Sequence, residues 1–147
     1  MKPGLIPGAA ASHAMTVGPT HLVPALFAEA NEGAGAFPDM PAVLATAQMV
    51  GLMEWACVEM LRPYYEDGED SVGIHVDVDH SAPTLPGQTV TVDAQVESVD
   101  GRFVWFNVRA HDGVEVIGQG RHRRAVIDRA KFADRLADKA ARVAGKR

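Results

Sequence analysis

The chain has 147 residues, 47% hydrophobic and 22% charged; at about 150 residues per domain that is one domain, 1–147, with enough apolar material for a core, and disordered or fibrous classes are excluded. Nineteen acidic against fourteen basic side chains leave a formal charge of −5, which argues against a broad nucleic-acid-binding surface. A single cysteine, Cys57, excludes an internal disulfide framework, and neither the start MKPGLIPGAAASHAM nor any later stretch reads as a signal sequence or membrane span, so a cytoplasmic chain is expected.

In chain order, residues 13–17 read as a short strand. Residues 19–41, PTHLVPALFAEANEGAGAFPDMP, are broken by Pro and Gly and read as a lid-like loop. Residues 42–61, AVLATAQMVGLMEWACVEML, contain good helix formers, are stopped by Pro63 and are apolar almost all round, which predicts a central buried helix. After the turn at Asp67, Gly68, Glu69 and Asp70 the apolar period changes to two. Val72, Ile74, Val76 and Val78 form one apolar face, ending in His80, that is expected to point at the helix; Val90, Val92, Ala94 and Val96 form another. Asp100-Gly101 and Asp112-Gly113 predict two tight hairpins joining strands over 102–111 and 114–127. Residues 128–143, with Phe132, Leu136 and Val143 at helical spacing, predict a C-terminal amphipathic helix.

One strand, a buried helix and four antiparallel strands make an α+β chain in which an antiparallel sheet wraps around a central helix, the arrangement of the hotdog fold. Such a sheet leaves an edge uncovered, and pairing of two copies is the expected remedy.

Three polar residues stand out against this apolar background. Glu54 lies mid-helix between GLM and WACV, where a carboxylate needs a reason; the ordinary reason is a helix-edge position that reaches solvent or pairs with an arginine. His80 closes the apolar strand face just before SAPTLPG, placed to act as acid, base or donor in a partly dry pocket, or simply to bond a backbone carbonyl. Thr46 precedes Glu54 by eight residues, about 12 Å of helix rise, a gap that a water or a second copy would have to bridge; near a helix start it also satisfies its own backbone. His75, Asp77 and Asp79 imitate a metal site but lie opposite the apolar strand face and read as solvated surface, so no metal is expected. Cys57 reads as core. The run Arg121, His122, Arg123, Arg124 would suit a polyphosphate or a solvated basic edge equally.

At ATAQMVGLMEWACVEMLRPYYEDGE, VDHSAPTLPGQTVTV and AHDGVEVIGQGRHRRAVIDRAKF the sequence resembles the fluoroacetyl-coenzyme A thioesterase family of hotdog enzymes, from about Met40 to Phe132 and including the uncommon string VGLMEWACV. The resemblance implies hydrolysis of a short or small substituted acyl-CoA by a homodimer or higher oligomer. It needs no separate cofactor, since coenzyme A is part of the substrate, and no nucleic-acid or membrane partner. It places a catalytic threonine, glutamate and histidine on Thr46, Glu54 and His80 at a dimer cleft, and substrate contacts on Gly73 and Arg124. Gly73 suits a thioester carbonyl that must approach a main-chain N–H, and Arg124 is expected near the coenzyme A phosphates. The lid presents Phe37 and Met40 where the family has two phenylalanines, so the resemblance carries the reaction rather than the acyl group. Two other readings share the fold. One is a non-catalytic acyl-CoA-binding or sensor module, which would not need Glu54; the other is a hotdog enoyl-CoA hydratase, whose aspartate–histidine pair is not found here.

Overall fold

In the computed structural model, which describes residues 1–146, the strands are β1 (Ala10–Thr16), β2 (Glu69–Val78), β3 (Thr89–Asp100), β4 (Phe103–His111) and β5 (Val116–Asp128), and the helices are α1 (Thr46–Leu61) and α2 (Arg129–Ala144). All five strands pair antiparallel in the order β1-β3-β4-β5-β2, leaving β1 and β2 as free edges. This is the curled sheet and packed helix of the hotdog fold.

The alternation in β3 and β4 is obeyed fully: Val90, Val92, Ala94 and Val96 face Val104, Phe106, Val108 and Ala110, none more than 3% exposed. Against them α1 buries Met49, Leu52, Met53, Ala56, Cys57, Met60 and Leu61, each worth on the order of 1–3 kcal/mol if fully desolvated. At Gly118 on β5 the helix side chain Met49 packs against the strand; an added Cβ would lie 2.7 Å from the Met49 sulfur.

Several boundaries differ from the sequence reading. α1 starts at Thr46 rather than Ala42 because the amides of Leu44 and Ala45 are taken by the carbonyls of Thr84 and His21, both at 2.9 Å, which holds that stretch extended. The β4–β5 connection runs from Asp112 to Glu115, longer than a two-residue turn. The Asp112 carboxylate accepts from the amides of Val114 (3.0 Å) and Glu115 (3.1 Å) and from the Thr84 hydroxyl (3.2 Å), closing the loop by itself.

The larger correction concerns β2. A bulge lies between Gly73 and His75, with Gly73 opposite Arg124 and Val76 opposite His122, so Ile74 is the extra residue. Ser71 and Gly73 face inward before the bulge and Val76 and Val78 after it, so Val72 does not share the inner face. As β2 is an edge strand, Ile74 (45%) and Val76 (46%) stay exposed instead of being covered by the helix. α1 is also open on one side, at Ala47, Gly51 and Trp55, the last with its ring 4.0 Å from that of His13 on β1. α2 is capped by Asp128, whose side chain accepts from the Lys131 amide, and buries no residue. No helix among the described residues is long and apolar enough to cross a membrane.

Candidate active site

The polar residues gather into two clusters along α1. The first is at its N-terminus, where Thr46 Oγ1 lies 2.7 Å from His80 Nδ1; either the hydroxyl donates to the ring or the ring N–H to the hydroxyl. His80 is carried just beyond β2 by backbone bonds on either side of it, Asp79 N to Gln119 O (3.0 Å) and Ser81 N to Ile117 O (2.7 Å). Its Nε2 is buried with no hydrogen-bond partner among the described residues. Burial lowers the imidazole below its ordinary value, against an opposing pull from the Ala82 backbone and Asp79, so at neutral pH the ring is uncharged and able to take up a proton. The pair opens into a cavity of about 260 Å³ lined also by Val23, Val43, Leu44 and Pro83. Val23 and Val43 are held together by a backbone bond of 2.9 Å; neither was singled out from the sequence.

The second cluster surrounds Glu54. Its carboxylate is 41% exposed, at the open edge of α1 rather than deep in the core, and Oε1 accepts from Arg124 Nη1 at 3.2 Å. The functional and the ordinary reading of this residue thus meet in one geometry, a helix-edge carboxylate paired with an arginine. Gly73 packs directly on it. An added Cβ there would collide with Glu54 Oε1 and approach His122 Cε1 to 3.1 Å and Arg124 Nη1 to 3.3 Å, so only glycine leaves room for the carboxylate.

Arg124 is the most heavily bonded side chain of the site. Besides Glu54 it donates from Nε to Ser71 Oγ (2.9 Å), from Nη2 to Ser71 O (3.0 Å) and from Nη1 to His122 Nε2 (3.2 Å). Tyr65 in turn donates to Ser71 Oγ at 2.6 Å. The guanidinium is buried, only 5% exposed, and turned toward Glu54 and Ser71. The outward-facing arginines of that run are Arg121 and Arg123, which stack over Trp105 at 4.1 and 5.4 Å from the ring centroid.

The remaining candidates fall elsewhere. Phe37 packs its ring on Phe27 at 5.4 Å and Met40 is 42% exposed; neither lines the Thr46–His80 cavity. Phe27 has a left-handed backbone (φ 59°). Burial pushes the Cys57 thiol up to about 12, which suits core packing and not a nucleophile. His75 lies edge-on to Trp105, and Asp79 accepts from the Gln119 amide at 3.0 Å. Ser71 and Tyr65 were not singled out from sequence, and His122 only as a member of the basic run 121–124. The i, i+2 spacing of Ser71 with Gly73 and of His122 with Arg124 puts each pair on one strand face, and the bulge hides how the two pairs meet.

Residues 28–130 match the family of fluoroacetyl-CoA-specific thioesterases. The fluoroacetyl-CoA thioesterase of Streptantibioticus cattleyicolor is 47% identical over 139 residues, which cover 95% of this chain and 97% of that protein. This chain belongs to that family. A solved structure of the fluoroacetyl-CoA thioesterase FlK superposes with a TM-score of 0.86 at 46% identity, over 92% of this chain and 98% of that one. A more distant thioesterase-superfamily member from Thermus thermophilus superposes at 0.83 with 28% identity, over 97% and 98%. The expected class, a thioester hydrolase on a hotdog fold, is the class of this family.

Proposed function

We propose that this chain hydrolyses short or small substituted acyl-CoA thioesters at a cleft formed by two copies, with Glu54, His80 and Thr46 carrying the chemistry. The observation that carries the reading is the Glu54 carboxylate, held by Arg124 against a glycine that leaves space above it. Glu54 acts on the thioester carbonyl as nucleophile or as the base for a water, and the backbone at Gly73 supports the oxyanion. Uncharged His80 moves the proton toward the departing thiolate, and Thr46 fixes the imidazole. Arg124 orients the carboxylate, and the polyphosphate role passes to Arg121 and Arg123. Membership of the family and the resemblance of the three residues to its pattern support the assignment.

Two features support the dimer. Thr46 and Glu54 are eight residues apart on α1, about 12 Å of rise, so one protomer alone keeps the two clusters separate. β2 has a free edge and exposed Ile74 and Val76, a surface that a second copy would cover. The test is thiol release from a panel of acetyl-, fluoroacetyl-, short branched and aromatic acyl-CoAs by wild type, Glu54→Gln and His80→Ala. Turnover of some member that collapses in both variants is expected. Wild-type rates in Glu54→Gln would sink the assignment, and binding without turnover by the wild type would favour the acyl-CoA sensor.

A further inference from the structure

His122 is buried to 1% exposure, lies beside the site and belongs to none of the roles above. Its two ring nitrogens have different partners. Nδ1 lies 2.8 Å from the His75 carbonyl oxygen, which can only accept, so the proton sits on Nδ1. Nε2 therefore carries a lone pair, and the group facing it is Arg124 Nη1 at 3.2 Å, a donor. The same Nη1 nitrogen donates its other hydrogen to Glu54. Glu54 Oε1 itself is 3.9 Å from Nε2, outside hydrogen-bond reach.

We propose that His122 is a positioning residue for the thioesterase site: its Nε2 lone pair fixes the rotation of Arg124, and Arg124 in turn aims the Glu54 carboxylate. The inference rests on the reading of Glu54 as the group that acts on the thioester. The guanidinium's Nε and Nη2 are tied to Ser71, which fixes where it sits. Only the Nη1 hydrogens reach toward the reaction, and an acceptor at His122 decides which of them is left for Glu54. Without that acceptor a buried N–H has no partner, and the guanidinium tilts to find one, drawing the half-exposed carboxylate with it. The other end of the ring holds the β2 backbone at the bulge, beside Gly73. One imidazole thus registers the carboxylate and the strand that passes over it.

The two contacts separate by substitution, because an asparagine amide reproduces the Nδ1 position of histidine and a glutamine amide the Nε2 position. His122→Asn keeps a donor for the His75 carbonyl and loses the acceptor for Arg124; His122→Gln does the reverse. With the best acyl-CoA of the panel, His122→Asn is expected to lose about 100-fold in kcat with KM within about threefold of wild type, and His122→Gln to stay within about fivefold. An active His122→Asn beside an inactive Glu54→Gln overturns the proposal and leaves the thioesterase reading standing. Equal losses in both variants that track a fall in Tm also overturn it, since packing alone would do that. An active Glu54→Gln removes the reading and the positioning role together. Should neither His122 variant fold, histidine 15N spectra of the wild type decide: an Nδ1–H tautomer with unprotonated Nε2 supports the proposal, and the Nε2–H or charged form overturns it.

Discussion

The central strands β3 and β4 and the edge strand β2 all carry branched apolar residues, yet those of the first two are sealed and two of those of β2 stand open. Val92, Phe106 and Ala110 are at 0% exposure, whereas Ile74 and Val76 keep nearly half of their surface. The difference follows from place in the sheet. β3 and β4 have a neighbour on both sides and α1 above, while β2 has β5 on one side and nothing on the other. The closed half holds the fold together, and the open half carries Gly73 and looks onto Glu54. An alternating pattern therefore states which residues face one way, and the position of the strand decides whether that face is core or site.

That contrast can be broken by substitution. Phe106→Ala, in the closed half, should cost about 3–5 kcal/mol of stability in urea unfolding, while Val76→Ala on the isolated protomer should cost less than about 1 kcal/mol, its side chain being half in water. Equal costs would show that the two faces are packed alike. Gly73→Ala puts a methyl where the Glu54 carboxylate lies and should lower turnover by about 10–100-fold by displacing it. Its midpoint of unfolding should barely move, since the residue needs no left-handed backbone; unchanged kinetics would mean that the carboxylate does not work from that position. Val76→Asp should convert a dimer into a monomer in sedimentation velocity and remove turnover with it; a monomeric wild type, or an active monomeric variant, would refute the shared cleft.

The smallest effect is on pH. Burial lowers both His80 and His122 below the ordinary imidazole value of 6.5, so both must be uncharged in the folded protein while the unfolded chain binds protons first. Their contribution to stability is complete above pH 6.5 and is lost as the pH falls through their lowered folded values. Tm should decline from pH 7.5 to pH 5, and the decline should be shallower in His80→Ala and in His122→Gln. A steeper decline in those variants would place the charged imidazole in the fold.

Much of the site was legible as individual residues. Glu54 and His80 announced themselves because a polar group in an apolar run needs an explanation, and Thr46 because it stands near the start of the helix. The structure brings Thr46 and His80 into contact and leaves Glu54 with Arg124 and Gly73. The bonding of Arg124 was not legible, since a strand residue's spacing tells its face and says nothing of whether its charge meets solvent or a carboxylate. Phe37 and Met40 lie away from the cavity lined by Thr46 and His80, with Phe37 packed on Phe27, a placement that no periodicity in that Pro- and Gly-broken stretch could show.

What the sequence determined by itself was the order of the elements, the apolar helix, the two sealed strands and the identities of the polar residues, since each depends on periodicity over a few neighbouring positions. The tertiary structure alone decided the bulge at Gly73, the burial of Arg124 and the bonding of His122. Each of these depends on the register between distant strands; Ser71 and Arg124, joined at 2.9 Å, are separated by 53 residues. One extra residue in β2 exchanges the faces of its first half, so no pattern read along a single strand can say which partner waits across the sheet.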